Sequence, residues 1–200
     1  MIDTNTNMAD TAQIYVCGGF HHPQRNFSTS GNRRKEPEAD FAKSFACTYK
    51  RKFQRVHTCS TNQETLFVRE VPVSGNGIAD LLVLNWRSDL ISKEYSPLDI
   101  KQAGTTIRAF EFKLSNWRGG LMQAHRYKYF SHVAILVIPR KKIKTVAEHI
   151  GMFQTLGIGL WGFEPETQII TKIYTPRPKQ QRITKYRIKA LELVAQTTSS

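Results

Sequence analysis

One aspartate stands alone in an otherwise apolar stretch of the sequence. Asp80 lies within residues 78–84 (IADLLVL), a string that favours a buried β-strand. A carboxylate in the middle of such a strand is costly unless it is hydrogen-bonded or paired with positive charge. We therefore expect Asp80 to lie at an open end of the strand or to be compensated by a cation. Gly77, three residues earlier, allows the chain to bend sharply where the strand begins.

A second acid, Glu111, is followed two residues later by Lys113. Because side chains alternate along a strand, Glu111 and Lys113 share one face, while Phe110 and Phe112 pack on the other. An acid beside a lysine suits the binding of a divalent cation and a phosphodiester. The residues alone leave open a simpler interpretation, in which the two side chains form an ion pair exposed to solvent.

Gln123 and Tyr127 are four residues apart and would lie on the same face of a helix. This spacing is common on helices and carries little information by itself. The pair Gly119-Gly120 at the start of this helix disfavours helix formation, which indicates that another part of the chain approaches closely there.

The charge of the chain points to a polyanionic partner. Its 200 residues carry 29 Lys and Arg against 16 Asp and Glu, a formal net charge of +13, with a pI near 9.9. Such a balance favours nucleic acid over a membrane surface. We expect no membrane partner, because the sequence has no apolar run of the roughly 18–20 residues that a membrane helix needs. The first ten residues are polar and unlike a signal peptide, which predicts a cytoplasmic location.

The periodicity of apolar residues predicts the elements that position these side chains. The segment 132–139 is apolar at both parities, as expected of a central strand that is covered on two faces. The order of elements predicts an α/β fold, a mixed central sheet flanked by helices on both faces. We expect helices near 37–53, 118–130 (capped by Ser115 or Asn116), 143–155 and 181–195, strands at 66–73, 78–86, 107–114, 132–139 and 168–174, and an apolar segment at 156–163.

Composition divides the chain into three parts. Residues 1–35 lack periodicity and predict a flexible N-terminal arm, 36–175 form the main domain, and 176–200 form a basic C-terminal segment with a helix. The segment 87–105 predicts a long loop that is either a binding element or an insertion. The three cysteines are widely spaced without a Cys-x-x-Cys pair, so we expect neither a disulfide framework nor a zinc or iron–sulfur site.

Taken in order, the three motifs resemble those of a known nuclease superfamily. The strings are Gly77-x-x-Asp80 on a strand, Glu111-x-Lys113 on a strand and Gln123-x-x-x-Tyr127 on a helix. This set resembles the PD-(D/E)XK superfamily, and the third string is similar to the motif of its RecB-type branch. The resemblance covers roughly residues 66–139 and implies a restriction-endonuclease-like fold that hydrolyses DNA phosphodiester bonds. Two features depart from the family: the 30 residues between Asp80 and Glu111, and the absence of the cysteines of its iron–sulfur members.

The resemblance also implies a role for each motif residue. Asp80 and Glu111 would bind Mg²⁺ or Mn²⁺ together with the backbone carbonyl of Phe112. Lys113 would orient or activate the attacking water and offset the charge of the phosphate, and Gln123 would position the scissile phosphate or hydrogen-bond a metal-bound water. Tyr127 would brace the helix or contact the nucleic-acid backbone. Glu70, on the strand before Asp80, is a further candidate ligand, for which solvent exposure is the alternative.

Two basic segments are candidates for contact with nucleic acid. The first is the end of the predicted helix 37–53, and the second is the segment 172–189, which holds seven Lys or Arg and no acid. The second segment would clamp the phosphate backbone; its alternative is a packed terminal helix with a solvated basic face. The candidate nucleic-acid-binding residues are Lys50, Arg51, Lys52, Arg182, Lys185, Arg187 and Lys189.

These inferences predict a Mg²⁺-dependent nuclease with DNA as its partner and RNA as the alternative. No recognition domain is evident in the sequence, so a homodimer or an accessory specificity protein would be needed if cleavage is selective. Two other functions remain open: a nuclease fold that binds nucleic acid without turnover, and an adaptor protein. The sequence does not distinguish endonuclease, exonuclease and junction-cleaving activity.

Overall fold

A six-stranded mixed sheet forms the centre of the computed structural model, which describes residues 36–57, 63–73, 77–87, 104–179 and 184–198. The strands lie side by side in sequence order, and all neighbours pair antiparallel except β3–β4 and β4–β5, which are parallel. The strands are β1 (Gln63–Val73), β2 (Gly77–Arg87), β3 (Thr106–Phe112), β4 (Val133–Pro139), β5 (Gly159–Glu164) and β6 (Ile169–Tyr174).

Helices connect the parallel strands and cover the sheet, as parallel pairing requires a crossover. The predicted α/β fold with a mixed sheet and helices on both faces is confirmed. The helices are α1 (Glu36–His57) before β1, α2 (Trp117–Tyr127) between β3 and β4, a 3₁₀ turn (Arg140–Lys142) followed by α3 (Ile143–Ala147) and α4 (Ile150–Leu156) between β4 and β5, and α5 (Thr184–Thr198) after β6.

Helix α1 covers one face of the sheet with aromatic side chains. Phe41, Phe45 and Tyr49 recur at helical spacing and are buried. Their rings contact those of β3 and β5; Phe45, for example, lies 5.1 Å from Phe112 and 5.4 Å from Phe163 between ring centroids. Aromatic pairs at these distances stabilise a fold by more than the burial of their apolar area alone provides. The packing fixes the N-terminal end of α1 beside the end of β3.

The opposite face of the sheet is covered by α2, α3, α4 and α5. Leu121 and Tyr127 of α2, Phe153 of α4 and Leu191 of α5 belong to one buried cluster with Leu136 of β4. Strand β4 is buried on both faces from Val133 to Ile138, as its apolar pattern predicts. Helix α5, which carries the basic residues of the C-terminal segment, packs against β1.

The connection between β4 and β5 differs from the sequence-based expectation. The helix expected near 143–155 is divided into α3 and α4, because His149 departs from helical backbone angles at φ −100° and ψ 21°. Gly157 then ends α4 in the left-handed conformation, φ 65°, which glycine adopts without steric cost. The following strand therefore begins at Gly159 rather than within the apolar segment from 156.

Several predicted features lie outside the described residues: the arm 1–35, most of the loop 87–105, and Arg182. Within the described ranges, no helix combines the length and the apolar character needed to cross a bilayer.

Candidate active site

The candidate site lies where β2 separates from β3. The pairing of the two strands ends at Leu81 and Phe110, one residue after Asp80 on β2. Beyond that point, the Asp80 carboxylate accepts a hydrogen bond of 2.8 Å from the backbone N–H of Phe112. Asp80 thus lies inside β2 rather than at its end, at the point where β2 is still paired with β1 but no longer with β3, and its carboxylate replaces a backbone acceptor of the interrupted β2–β3 ladder.

The carbonyl of Phe112 faces the same gap. The N–H of Lys113 donates to Val137 O of β4 at 3.1 Å, so it points towards β4. Because the carbonyl and the N–H of one trans peptide point in opposite directions, the Phe112 carbonyl points away from β4 and towards the β2 side. This side is the one on which Asp80 accepts the Phe112 N–H.

Glu111 is almost fully buried, with a side chain that is 1% exposed. The Tyr127 hydroxyl contacts Glu111 Oε2 and also lies 2.6 Å from the carbonyl oxygen of Ile78. A hydroxyl has one hydrogen to donate, so both contacts are hydrogen bonds only when Glu111 carries a proton. Tyr127 thereby joins Glu111 to the start of β2, directly after Gly77, whose φ is +86°.

Lys113 lies between two acids. Its Nζ is 2.9 Å from Glu111 Oε1 and 3.5 Å from Glu38 Oε2. Sequence reasoning missed Glu38, which lies in the first turns of α1. Glu38 Oε1 accepts a hydrogen bond of 3.2 Å from the backbone N–H of Leu114. Asp80 and Glu38 therefore accept the N–H groups of Phe112 and Leu114, which point to the side of the chain where β2 is no longer paired with β3.

The tight packing expected at the two glycines is present. A Cβ added to Gly120 would lie 2.6 Å from Lys113 Cγ and 2.7 Å from Leu136 Cδ1. Only glycine allows the stem of Lys113 to pass α2 at this distance. Gly119 donates its backbone N–H to the side chain of Asn116, the N-terminal cap of α2.

The pKa values of both carboxyl groups are higher than those of ordinary acids. Burial, followed by the charge of Glu111, raises the pKa of Asp80 from 3.8 to about 7. Burial also raises the pKa of Glu111, although Lys113 and Tyr127 oppose the shift. Burial by itself would lower the pKa of Lys113, but Glu111 and Asp80 outweigh it and keep the ammonium charged. With Lys113 as their neighbour, the two carboxyl groups therefore keep their protons to a higher pH than ordinary acids, and further positive charge at the site would favour their ionised forms.

The other two residues of the motif set are placed differently. Gln123 is half-buried and lies one turn before Tyr127 on α2, on the side of Gly120, but the contacts described above for Asp80, Glu111, Lys113 and Tyr127 do not include it. Glu70 is exposed, has a positive φ of 51°, and its carboxylate lies 3.9 Å from Arg69. The charges that act on the pKa of Asp80 come from Glu111, Lys113 and Glu38 rather than Glu70.

The basic residues expected to contact nucleic acid lie away from this cluster. Lys50, Arg51 and Lys52 follow Glu38 by at least 12 residues, about 18 Å along the axis of α1. Arg51 donates to Gln168 Oε1 at 2.8 Å. On α5, Lys185 and Lys189 are exposed, whereas Arg187 is half-buried and donates to Thr105 O at 3.3 Å.

The donor set at the gap suits a hard divalent cation. Asp80, Glu111 and the Phe112 carbonyl supply oxygen donors, which Mg²⁺ and Mn²⁺ prefer. Glu111 Oε1 is buried, and its contact with Lys113 is an ion pair without hydrogen-bond geometry. Among the described residues, no three His, Cys, Asp or Glu side chains are grouped as a metal site, so the set rests on two carboxylates and a backbone carbonyl.

Comparison of the chain with models of protein families, with curated proteins and with solved structures finds no match. The geometry of the site is therefore the basis for a functional proposal.

Proposed function

We propose that this protein is a metal-dependent nuclease that hydrolyses DNA phosphodiester bonds on a restriction-endonuclease-like fold. The observation that carries the proposal is the meeting of Asp80, Glu111 and Lys113 at the gap between β2 and β3. Asp80 on β2 is more than 30 positions away in sequence from Glu111, which lies on β3, and from Lys113, which directly follows β3. Burying two acids whose charged forms are disfavoured costs stability, and acids with such shifted pKa values are concentrated at functional sites.

Asp80 and Glu111 would hold the cation as carboxylates, with the Phe112 carbonyl as a third donor. A bound Mg²⁺ or Mn²⁺ supplies positive charge that makes a water more acidic and offsets negative charge on the phosphate. Binding requires that protons leave the two carboxyl groups, whose pKa values are raised by burial. Tyr127 would keep Glu111 oriented during this change, because its hydroxyl can donate to Glu111 Oε2 in the ionised state.

Lys113 would act on the reacting groups. Its ammonium lies at the site, half-buried and charged, and carries three N–H donors. It would orient the attacking water and stabilise the charge that develops on the phosphate in the transition state. Glu38 would position Lys113 through the 3.5 Å ion pair, and Gly120 would leave room for its stem. Gln123 would contact the phosphate from α2.

The proposal includes DNA as the partner, with RNA as the alternative, because the net charge of +13 favours a polyanion. A cytoplasmic location and a homodimer or accessory specificity protein stay predictions from the sequence. The main competing function is a nuclease fold that binds nucleic acid without turnover. The presence of both acids and the lysine at one place favours the enzyme.

A cleavage assay tests the proposal. Linear, circular, single-stranded and branched DNA are each incubated with the purified protein in Mg²⁺, Mn²⁺ or EDTA, with Asp80→Asn as the matched inactive variant. We expect cleavage with either metal, none in EDTA, and none by the variant. Cleavage in EDTA, or equal cleavage by the variant, would show a contaminating nuclease or another site. DNA binding without cleavage in every condition would favour the non-catalytic function.

A further inference from the structure

A recess at the ends of β3, β4 and β5 lies beside the candidate active site. Its volume is about 450 Å³, within the range of pockets that bind small molecules. Leu114 and Ser115, which directly follow Lys113, form part of its wall. Phe41, one turn after Glu38 on α1, forms part of its floor with Phe163. Hereafter we call this recess the end pocket.

Leu114 connects the end pocket with the acid cluster. It lines the pocket, and its N–H donates to Glu38 of the cluster, whereas its carbonyl accepts a hydrogen bond of 2.7 Å from Lys142 Nζ, another residue of the pocket. Ser115 lies two residues after Lys113, so their Cα atoms are at most about 7 Å apart. A polynucleotide with one phosphate at Lys113 would therefore place a neighbouring nucleotide at the pocket.

The chemistry of the lining differs from one side to the other. Exposed Lys141 and Lys142 form a basic side, and Glu164 and Glu166 form an acidic side. Arg140 also lines the end pocket and pairs with Glu164 at 3.2 Å. The floor is apolar. A nucleotide has these three properties in one unit: a phosphate for the lysines, an apolar base face for the floor, and N–H groups on the base edge for the acids.

We propose that the end pocket binds one unpaired nucleotide adjacent to the scissile phosphate, so that the preferred substrate is a strand with a single-stranded segment. This inference rests on the proposed nuclease function and specifies its substrate class. A base inside a duplex is stacked and paired, and it can enter a recess only if it is flipped out, which costs free energy. An overhang or an unpaired strand offers its bases without that cost.

Binding in EDTA tests this inference without cleavage. The probes are a blunt DNA duplex, the same duplex with a single-stranded overhang, and the overhang duplex with abasic positions next to the junction; fluorescence anisotropy measures each affinity. We expect the overhang to bind about five- to a hundredfold more tightly than the blunt duplex, as for one base held by stacking and contact. The abasic probe should lose most of this preference.

Two matched variants locate the effect. Ser115→Trp fills the end pocket from an exposed rim position, and Thr145→Trp adds the same side chain to an exposed position of α3 outside the pocket. The preference for the overhang should disappear in Ser115→Trp and persist in Thr145→Trp, with circular dichroism checking that both variants fold. Equal affinity for blunt and overhang probes, no loss with abasic positions, or the same effect of both tryptophans would each overturn the inference.

The two proposals fail separately. If the end pocket does not bind a nucleotide, metal-dependent cleavage is unaffected by Ser115→Trp and occurs equally on blunt and overhang DNA. If the protein is not a nuclease, the overhang preference in EDTA persists while no DNA is cleaved in Mg²⁺ or Mn²⁺.

Discussion

Ionisation of Asp80 should lower the free energy of unfolding of the metal-free protein as the pH approaches neutrality. Its pKa is about 7 in the folded protein against 3.8 as the ordinary value, so the protonated form is favoured on folding. The stability that this difference provides is present below about pH 4 and is lost as the pH rises towards 7. In EDTA, Asp80 should therefore lower the free energy of unfolding by about 1–3 kcal/mol between these values, measured as the difference between the parent and Asp80→Asn, because the lowered pKa of His132 acts in the opposite direction in both proteins. Urea denaturation at a series of pH values measures it.

Asp80→Asn gives the matched variant for this prediction. Asparagine can still accept the Phe112 N–H, but it does not ionise. The variant should be more stable than the parent at pH 7, and the difference between the two proteins should disappear towards pH 4; the slope that the variant keeps comes from other groups with shifted pKa values, such as Glu111 and His132. Asp40→Asn, an exposed position on α1, should reproduce the parent curve. Identical curves for the parent and Asp80→Asn would contradict the assigned burial of this acid.

Lys113→Ala separates binding from catalysis. Because the ammonium is expected to act mainly on the transition state, the variant should retain affinity for DNA and metal while kcat falls by about a hundredfold to ten-thousandfold. Lys144→Ala, which removes an exposed lysine from α3, is the control and should retain full turnover. Single-turnover cleavage and anisotropy measure the two quantities. Full activity of Lys113→Ala would remove the basis of the proposed chemistry.

At the residue scale, the sequence indicated the anomalous acids but missed Glu38. Asp80 and Glu111 interrupt apolar strands, so their cost is visible in a local pattern. Glu38 follows Pro37 at the start of a helix, where an acid is ordinary because it interacts favourably with the helix dipole. Its contact with Leu114 joins residues 76 positions apart. No local pattern predicts such a contact.

At the scale of elements, the site depends on how closely α2 approaches β3. Gly120→Ala would place a methyl group 2.6 Å from Lys113 Cγ and 2.7 Å from Leu136 Cδ1. We expect a loss of about 1–3 kcal/mol in the free energy of unfolding, as for overpacked sites, together with reduced turnover. Gly151→Ala on α4 meets no atom within 4 Å and should be neutral or stabilising by up to about 1 kcal/mol. Equal stability of both variants would contradict the close approach.

The elements themselves were largely predictable, because their apolar patterns are strong. The helical spacing of Phe41, Phe45 and Tyr49 and the two-sided apolar run of β4 identify α1 and the central strand. The bend expected at Gly77 agrees with its positive φ of 86°. The division of the helix near 143–155 was missed, since His149 is not a recognised helix breaker; its ring stacks on Trp117 at 5.2 Å, a contact between distant residues that no local pattern reveals. The parting of β2 and β3, which creates the site, has no signature beyond Asp80 itself.

For the whole molecule, the positive charge predicts salt-dependent binding. Lys185 and Lys189 lie one turn apart on α5 and are exposed, whereas Arg187 is partly used in the fold. Replacing both lysines with alanine should weaken DNA binding for all sequences about equally. The slope of log affinity against log salt should become shallower by about 2 units, since each phosphate contact contributes nearly one. An unchanged slope in a folded variant would show that α5 does not contact DNA.

The central claim is that Asp80 and Glu111 form a binding site for a divalent cation. Titration calorimetry with Mn²⁺ on the purified protein at neutral pH, in the absence of DNA, tests it most directly. The variants are Asp80→Asn and Glu111→Gln, each of which keeps the shape of the side chain and removes one charge. Lys113→Ala is the control, because it leaves both carboxylates in place. Circular dichroism establishes that all four proteins are folded.

Mn²⁺ should bind to the parent and to Lys113→Ala, and either acid substitution should abolish or severely weaken this binding. Protons should be released on binding, so the measured heat should vary with the ionisation enthalpy of the buffer. Unchanged Mn²⁺ binding in both Asp80→Asn and Glu111→Gln, or no binding to the folded parent, would contradict the claim.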